Sequence, residues 1–266
     1  MPSALLNVMI NAAKKASTKI RRDFNELENL QVSTKGPGDF VTSADIRTQK
    51  IIIDELTKAK PDWSFLAEEK TNQKTGEYKN RFIIDPIDGT TNFMHGNPNF
   101  AISIAAEVDN KLEAGIVYCP IFDELFFAER GKGAFLNDRR LRVAKRNKLS
   151  DSVVVTGIPH IGRGNKEQFI EEIDQIISEV AGIRRSGSAA LDLAWVAAGR
   201  YDAYWEYGLS LWDIAAGIII IREAGGVVTG LDGSEDDLYT GNVIAGNDNI
   251  HESLLKKIKN IYLQDS

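Results

Sequence analysis

Cysteine is nearly absent from the 266-residue chain: Cys119 is the single thiol. No disulfide can form within the chain, so the fold must be held by packing. The neighbours of Cys119 are apolar, which suits a buried structural thiol better than a nucleophile. Histidine is almost as scarce. His95, His160 and His251 are scattered, and none forms a recognisable nucleophile-plus-base setting with a serine or cysteine, which favours structural or surface roles. Long apolar runs are missing too. The longest, Ile214 to Ile221, falls far short of the roughly 20 residues a membrane-spanning helix needs. An excess of basic charge is also lacking. With 32 Lys and Arg against 38 Asp and Glu, the net charge is −6, which argues against direct nonspecific binding of nucleic acid. The glycines match no nucleotide motif. Gly131-Lys132-Gly133 lacks the phosphate-loop spacing, and Gly225-Gly226 follows a helical pattern rather than a strand. No basic stretch precedes an apolar core at the N-terminus, so the expected location is the cytoplasm.

What remains is an ordinary globular composition, 43% hydrophobic and 26% charged, with ample length for a large core. The chain reads as a single unit over residues 1–266. Its halves fall at about 1–145 and 146–266, divided by the polar stretch Lys145 to Asp151. An acidic chain that binds an anionic ligand needs a cation between them.

The informative stretch is Ile83-Ile84-Asp85-Pro86-Ile87-Asp88-Gly89-Thr90-Thr91-Asn92. Phe82 to Ile84 reads as a short buried strand ending in an acid. Pro86 has no amide proton, so the chain is expected to leave the sheet there. Asp88 places a second carboxylate in the same turn. Two carboxylates this close repel unless a proton or cation lies between them. Hard cations such as Mg²⁺ take such oxygen ligands, together with water and substrate phosphate. Gly89 allows close approach of the backbone to a bulky anion. A helix starting near Thr90 would turn its free amides toward that anion.

Other acids recur at element ends. Asp45 follows Ser43, the expected cap of a helix running to about Ala59, and an acid in the first turn also suits the helix dipole for structural reasons. Glu68 follows the strand-like Trp63 to Leu66. Glu206 ends the alternating strand from Tyr201. Asp213 opens the apolar helix that runs to Glu223 and is again open to a dipole reading. The region from about 82 to 143 is strand-rich and antiparallel, and Lys35 to Asp39 reads as a flexible break.

Four motifs in order carry a resemblance. They are Phe40-Val41-Thr42-Ser43-Ala44-Asp45, Phe65-Leu66-Ala67-Glu68-Glu69, Ile84-Asp85-Pro86-Ile87-Asp88-Gly89-Thr90-Thr91-Asn92-Phe93 and Trp212-Asp213-Ile214-Ala215-Ala216-Gly217. Together they resemble the inositol monophosphatase family, including its bacterial members, over nearly the whole chain. The resemblance implies a layered αβαβα sandwich of the sugar-phosphatase type, with helices and mixed and antiparallel sheets. It further implies a phosphomonoesterase of myo-inositol monophosphate that uses two or three Mg²⁺ ions, is inhibited by lithium and forms a homodimer. Fructose 1,6-bisphosphate and other small sugar or nucleotide phosphates are alternative substrates. A transcription antitermination role with RNA polymerase is a third possibility, since some bacterial relatives act there.

By the same resemblance, Glu68, Asp85 and the carbonyl of Ile87 match ligands of a first metal, and Asp85, Asp88 and Asp213 match those of a second. Glu68 also serves a weaker third ion. Gly89 and Thr90 match phosphate contacts, and Thr90 paired with Asp45 matches the group that orients the attacking water. Ala189 and Glu206 match substrate contacts, along with Asp88. One departure is Ala67, where the family usually has glycine. A positive φ there would strain alanine, and an accommodated backbone is the expectation.

Overall fold

The computed structural model describes residues 2–27, 32–36, 39–69, 79–160 and 164–262. Helix α1 (Ala4–Asn25) leads to a hairpin, β1 (Val32–Gly36) and β2 (Asp39–Thr42), and then to α2 (Ser43–Ala59). The strands β3 (Ser64–Ala67), β4 (Asn80–Asp88), β5 (Ala101–Val108), β6 (Lys111–Cys119), β7 (Glu124–Glu129), β8 (Gly133–Leu136) and β9 (Arg139–Arg140) follow, with the short helix α3 (Thr90–Met94) between β4 and β5. The remainder is β10 (Val153–Thr156), α4 (Lys166–Ile177), β11 (Gly182–Arg184), α5 (Ala189–Ala197), β12 (Ala203–Glu206), α6 (Leu211–Glu223), β13 (Val227–Thr229), α7 (Glu235–Leu238), β14 (Val243–Gly246) and α8 (Asp248–Tyr262).

Two sheets organise these elements. The larger has seven strands in sequential order from β3 to β9; β3 and β4 are parallel and every later pair is antiparallel. The smaller is mixed, with order β11-β10-β12-β14-β13.

Alternation along the strands assigns the layers. On β4, Phe82 and Ile84 face a core shared with α1 and α2, while Ile83 faces the opposite core. That second core holds α5 and α6 between the sheets, together with Tyr204 and Ala245 of the smaller sheet. Val154, Trp205 and Ile244 face the far side, where α4 and α8 pack. The result is the αβαβα order that the resemblance implied. The central helices are buried on all sides, with Ile214 to Ile221 of α6 wholly inside, as expected of helices lacking a polar face.

Three local expectations need correction. Pro86 does not end its strand. Asp85 pairs with Ser103 and Asp88 with Ala101, so three steps on β4 oppose two on β5. The extra residue forms a β-bulge, which accommodates proline and bends the strand end. The cap of α2 is Thr42 rather than Ser43; Thr42 and Asp45 form a reciprocal capping box. The expected break at Lys35 to Asp39 contains parts of a hairpin, since Val32–Gly36 and Asp39–Thr42 pair. Pro37, Gly38 and the side chain of Lys35 lie outside the described residues. Ala67 closes β3 and is not among the described residues with positive φ, so alanine is accommodated without strain.

Away from the cleft, Glu172 of α4 is fully buried. It accepts hydrogen bonds from Gln168 Nε2 (3.2 Å) and Trp205 Nε1 (3.0 Å). Burial outweighs these bonds and pushes its carboxyl from 4.5 up to about 7. The folded protein therefore keeps a proton that the unfolded chain releases above about pH 4.5. Stability falls between about pH 4.5 and 7 and stays lower above. Glu172→Gln, with the Gln168 amide turned to accept, is expected to raise stability at pH 8 by at most about 3 kcal/mol and to leave it nearly unchanged at pH 4. Melting curves at the two pH values check this; an equal shift at both would refute it.

Candidate metal and phosphate site

The acids singled out by sequence come together where strand ends and helix starts meet. Glu68, Asp85, Ile87, Asp88, Gly89, Thr90, Ala189, Glu206 and Asp213 all line one cleft of about 380 Å³, a usual size for a small-molecule site. Asp45 lies behind it, fully buried.

The β4 bulge sets the centre. Asp85 Oδ1 accepts the amide of Ile87 (2.9 Å), which folds the side chain back over its own turn. Asp88, three residues on, reaches the start of α5. Its Oδ2 accepts the Ala190 amide (2.7 Å) and the Ser188 hydroxyl. One oxygen of Asp88 is thus gripped by a helix N-terminus about a hundred residues away, where the dipole favours negative charge. Asp213 sits in the first turn of α6, where Oδ2 accepts the Ser210 amide (2.8 Å) in a capping box. The α6 box leaves Asp213 lining the cleft, and the α2 box leaves Asp45 bonded to the cleft residue Thr90, while each acid also serves as a helix-start device. The two readings of Asp45 and Asp213, cap and site, are therefore compatible.

Asp85, Asp88 and Asp213 each offer an oxygen within 4.8 Å of the others, a group able to hold a metal ion. Glu68 lines the same cleft, near enough to Asp85 to raise its carboxyl. Its backbone is anchored: the Glu68 amide donates to Ile84 O (3.1 Å), and Gln49 of α2 bonds both the amide and the carbonyl of Glu69 (2.9 and 2.7 Å).

Electrostatics follow from burial and crowding. Burial first, then Glu68, Asp88 and Asp213, push Asp85 well above the usual carboxylate range. Burial likewise pushes Asp88 up to about 7, against the pull of the Ser188 and Ala190 bonds. Asp45 is raised to about 6 by burial, although the Thr42 hydroxyl and amide lower it. Such a set cannot ionise fully on its own. Protons or cations must offset it, and all-oxygen donors suit hard divalent cations such as Mg²⁺.

Beside the acids, Thr90 Oγ1 lies 3.2 Å from Asp45 Oδ1 and 3.1 Å from the Ile87 carbonyl. Its single hydrogen is shared between two acceptors. Gly89 precedes it with φ +96°; a Cβ there would lie 3.1 Å from Asn99 O and 3.2 Å from Gly187 O. Both the backbone conformation and the space therefore require glycine.

Sequence reading missed the residues that hold the acids in place. Ser188 and Gln49 act across the fold, and nothing local marks them as partners of Asp88 and Glu69. A signal for Thr42 and Ser210 did exist, as each stands three residues before an acid at a helix start.

An acid-caged cleft beside a glycine turn, set in a five-layered sandwich, defines a fold class of metal-assisted hydrolases. The family model described as "Inositol monophosphatase family" matches residues 1–263. The chain belongs to the inositol monophosphatase family, a family of phosphoric monoester hydrolases. It is 56% identical over 257 residues to the protein named "Inositol-1-monophosphatase" of Mesorhizobium japonicum, covering 97% of each chain. It is 41% identical over 261 residues to the "Nus factor SuhB" of Pseudomonas aeruginosa, covering 96% of each. The crystal structure of extragenic suppressor protein suhB from Bartonella henselae superposes with a TM-score of 0.93 at 52% identity, covering 97% of this chain and 99% of that one. Among the described residues no helix is long and apolar enough to cross a membrane.

Proposed function

We propose that this chain is a Mg²⁺-dependent phosphomonoesterase that hydrolyses myo-inositol monophosphate to inositol and phosphate. The observation that carries this reading is the convergence of Asp85, Asp88 and Asp213 on a common point, with Glu68 beside them and Glu206 across the same cleft. The name of the Mesorhizobium relative supports the substrate.

In this reading Glu68, Asp85 and the Ile87 carbonyl hold one Mg²⁺, and Asp85, Asp88 and Asp213 hold a second. Glu68 also contributes to a weaker third site. Bound there, Mg²⁺ lowers the pKa of water and offsets charge on the leaving oxygen. The chain's own residues do the positioning. Thr90, steadied by Asp45 and the Ile87 carbonyl, orients the attacking water. The amides of Gly89 and Thr90 receive the phosphate oxygens, and the Thr90 hydroxyl reaches them only by turning its one hydrogen away from Asp45 and the Ile87 carbonyl. Asp88, Ala189 and Glu206 contact the hydroxyl-bearing part of the substrate. Lithium inhibition, a homodimer and a cytoplasmic location belong to the same proposal.

The expected result with pure protein is phosphate release from inositol monophosphate that requires added Mg²⁺ and falls on lithium titration. Faster release from fructose 1,6-bisphosphate or a nucleotide 3′-phosphate would redirect the substrate assignment. No metal-dependent release from any small monoester would refute the enzyme reading.

A second reading, contact with RNA polymerase during transcription, is favoured by the name Nus factor carried by the Pseudomonas relative. Retention of RNA polymerase subunits on the immobilised protein tests it.

A further inference from the structure

Glu206 is placed by two neighbours whose roles the catalytic reading leaves unassigned. Tyr204 lies two residues earlier on β12, so its side chain leaves the same face of the strand. Its ring is fully buried, and its hydroxyl donates to Glu206 Oε2 at 2.6 Å. Burial, reinforced by the nearby carboxylates, pushes the phenol well above its usual range, so it remains a donor.

Gly157 follows β10, whose Thr156 pairs with Trp205 of β12. A Cβ at Gly157 would lie 2.0 Å from Glu206 Cδ and 2.2 and 2.3 Å from its two carboxylate oxygens. The Glu206 carboxylate therefore occupies the space that any side chain at 157 would fill. Gly157 is not among the residues with positive φ. The nearest obstacles to a side chain there all belong to the Glu206 carboxylate.

A carboxylate has about four acceptor sites, so the Tyr204 hydroxyl is one of several donors it can accept from. Clamped between a phenol and a bare α-carbon, Glu206 loses little further freedom when it accepts a hydrogen bond from a ligand. That is the advantage of preorganisation. A site built to receive a hydroxyl also discriminates against a ligand lacking one, because its polar group is then left without that partner.

We propose that Tyr204 and Gly157 are positioning residues that set substrate preference, by aiming the Glu206 carboxylate at hydroxyls of the leaving group. The proposal rests on the phosphatase reading above. Its consequence is a preference for phosphate esters of polyols over esters of similar size without hydroxyls.

The test compares wild type, Tyr204→Phe, Glu206→Ala and the double variant, with Mg²⁺, on myo-inositol 1-phosphate and on phenyl phosphate. Tyr204→Phe is expected to lower the ratio of kcat/KM for inositol phosphate over phenyl phosphate by about tenfold, mainly through KM for the inositol ester. In the Glu206→Ala background the same change is expected to leave the ratio where Glu206→Ala alone puts it. Gly157→Ala, whose methyl displaces the carboxylate, is expected to lower the ratio as well. An equal fall on both esters, or full additivity in the double variant, overturns the proposal and leaves Tyr204 a packing residue. Should wild type release phosphate from neither ester, the phosphatase reading and this proposal fall together; that outcome is recognisable because it appears without any substitution.

Discussion

Asp88→Asn is expected to lower kcat/KM for phosphate release by about a thousandfold or more, on the order of 4 kcal/mol of transition-state stabilisation. The reason lies in how its two oxygens are used. Oδ2 is taken by the Ala190 amide and the Ser188 hydroxyl. Asparagine can keep those bonds only by giving its carbonyl to them, which turns its NH₂ toward the cluster of Asp85 and Asp213. A cation site then meets two hydrogens where it had a charged ligand. The fold should survive, because the residue's long-range bonds survive. Stability should even rise without metal. Burial holds the Asp88 carboxyl at about 7 instead of 3.8, so the folded protein loses stability as pH rises from about 4 to 7 and stays lower above. An uncharged amide removes that loss. Melting temperature with and without Mg²⁺ at pH 8 separates the effects. The variant should melt higher than wild type in chelator and show a smaller rise on adding Mg²⁺, because a ligand stabilises only by as much as it binds. Unchanged catalysis, or a full Mg²⁺-induced rise, would remove Asp88 from the site.

Gly115→Ala is expected to destabilise the core strongly for a change of a single methyl group. Gly115 sits in the middle of β6, paired with Ala105 and Ala128. A Cβ there would lie 2.6 Å from Ile219 Cγ2 and 2.9 Å from the backbone of Ala216. The contact is partly with helix backbone, so no rotamer change relieves it; α6 must shift away from the sheet. Overpacking of this kind costs about 1–3 kcal/mol, which in a protein of this size lowers the melting temperature by roughly 2–12 °C. Asp213 begins the turn before Ala216 on the same helix, so a shift of α6 carries a cluster acid with it. Weaker Mg²⁺ binding, read as a higher Mg²⁺ concentration for half-maximal activity, should therefore accompany the lower melting temperature. A stable, fully active variant would show that α6 is not held as closely as described.

Much of this site could be read from residue types and order. Asp85 and Asp88 share one turn, Glu68 and Glu206 end strands, and Asp45 and Asp213 start helices. Periodicity is local, so the antiparallel strands from β4 to β8 and the apolar helix α6 were all legible. Capping is local too, yet it misplaced one residue. Thr42 and Ser43 are both good caps, and only the backbone at Thr42, extended with φ −107°, decides between them.

The rest required the folded chain. Proline at 86 argues for leaving a sheet, and only pairing with β5 shows the bulge that keeps it inside. Ser188 looks like an ordinary cap until Asp88 arrives from the other sheet, and Gln49 looks like a helix-surface amide until Glu69 packs on it. Gly115 and Gly157 carry no sign of which atoms need their space. The sequence alone determined which groups were available and which short elements would carry them, because those preferences act between near neighbours. Tertiary structure decided which oxygens face one another and what holds them there. Those contacts join segments up to about a hundred residues apart, and their free energy arises only once the layers have packed.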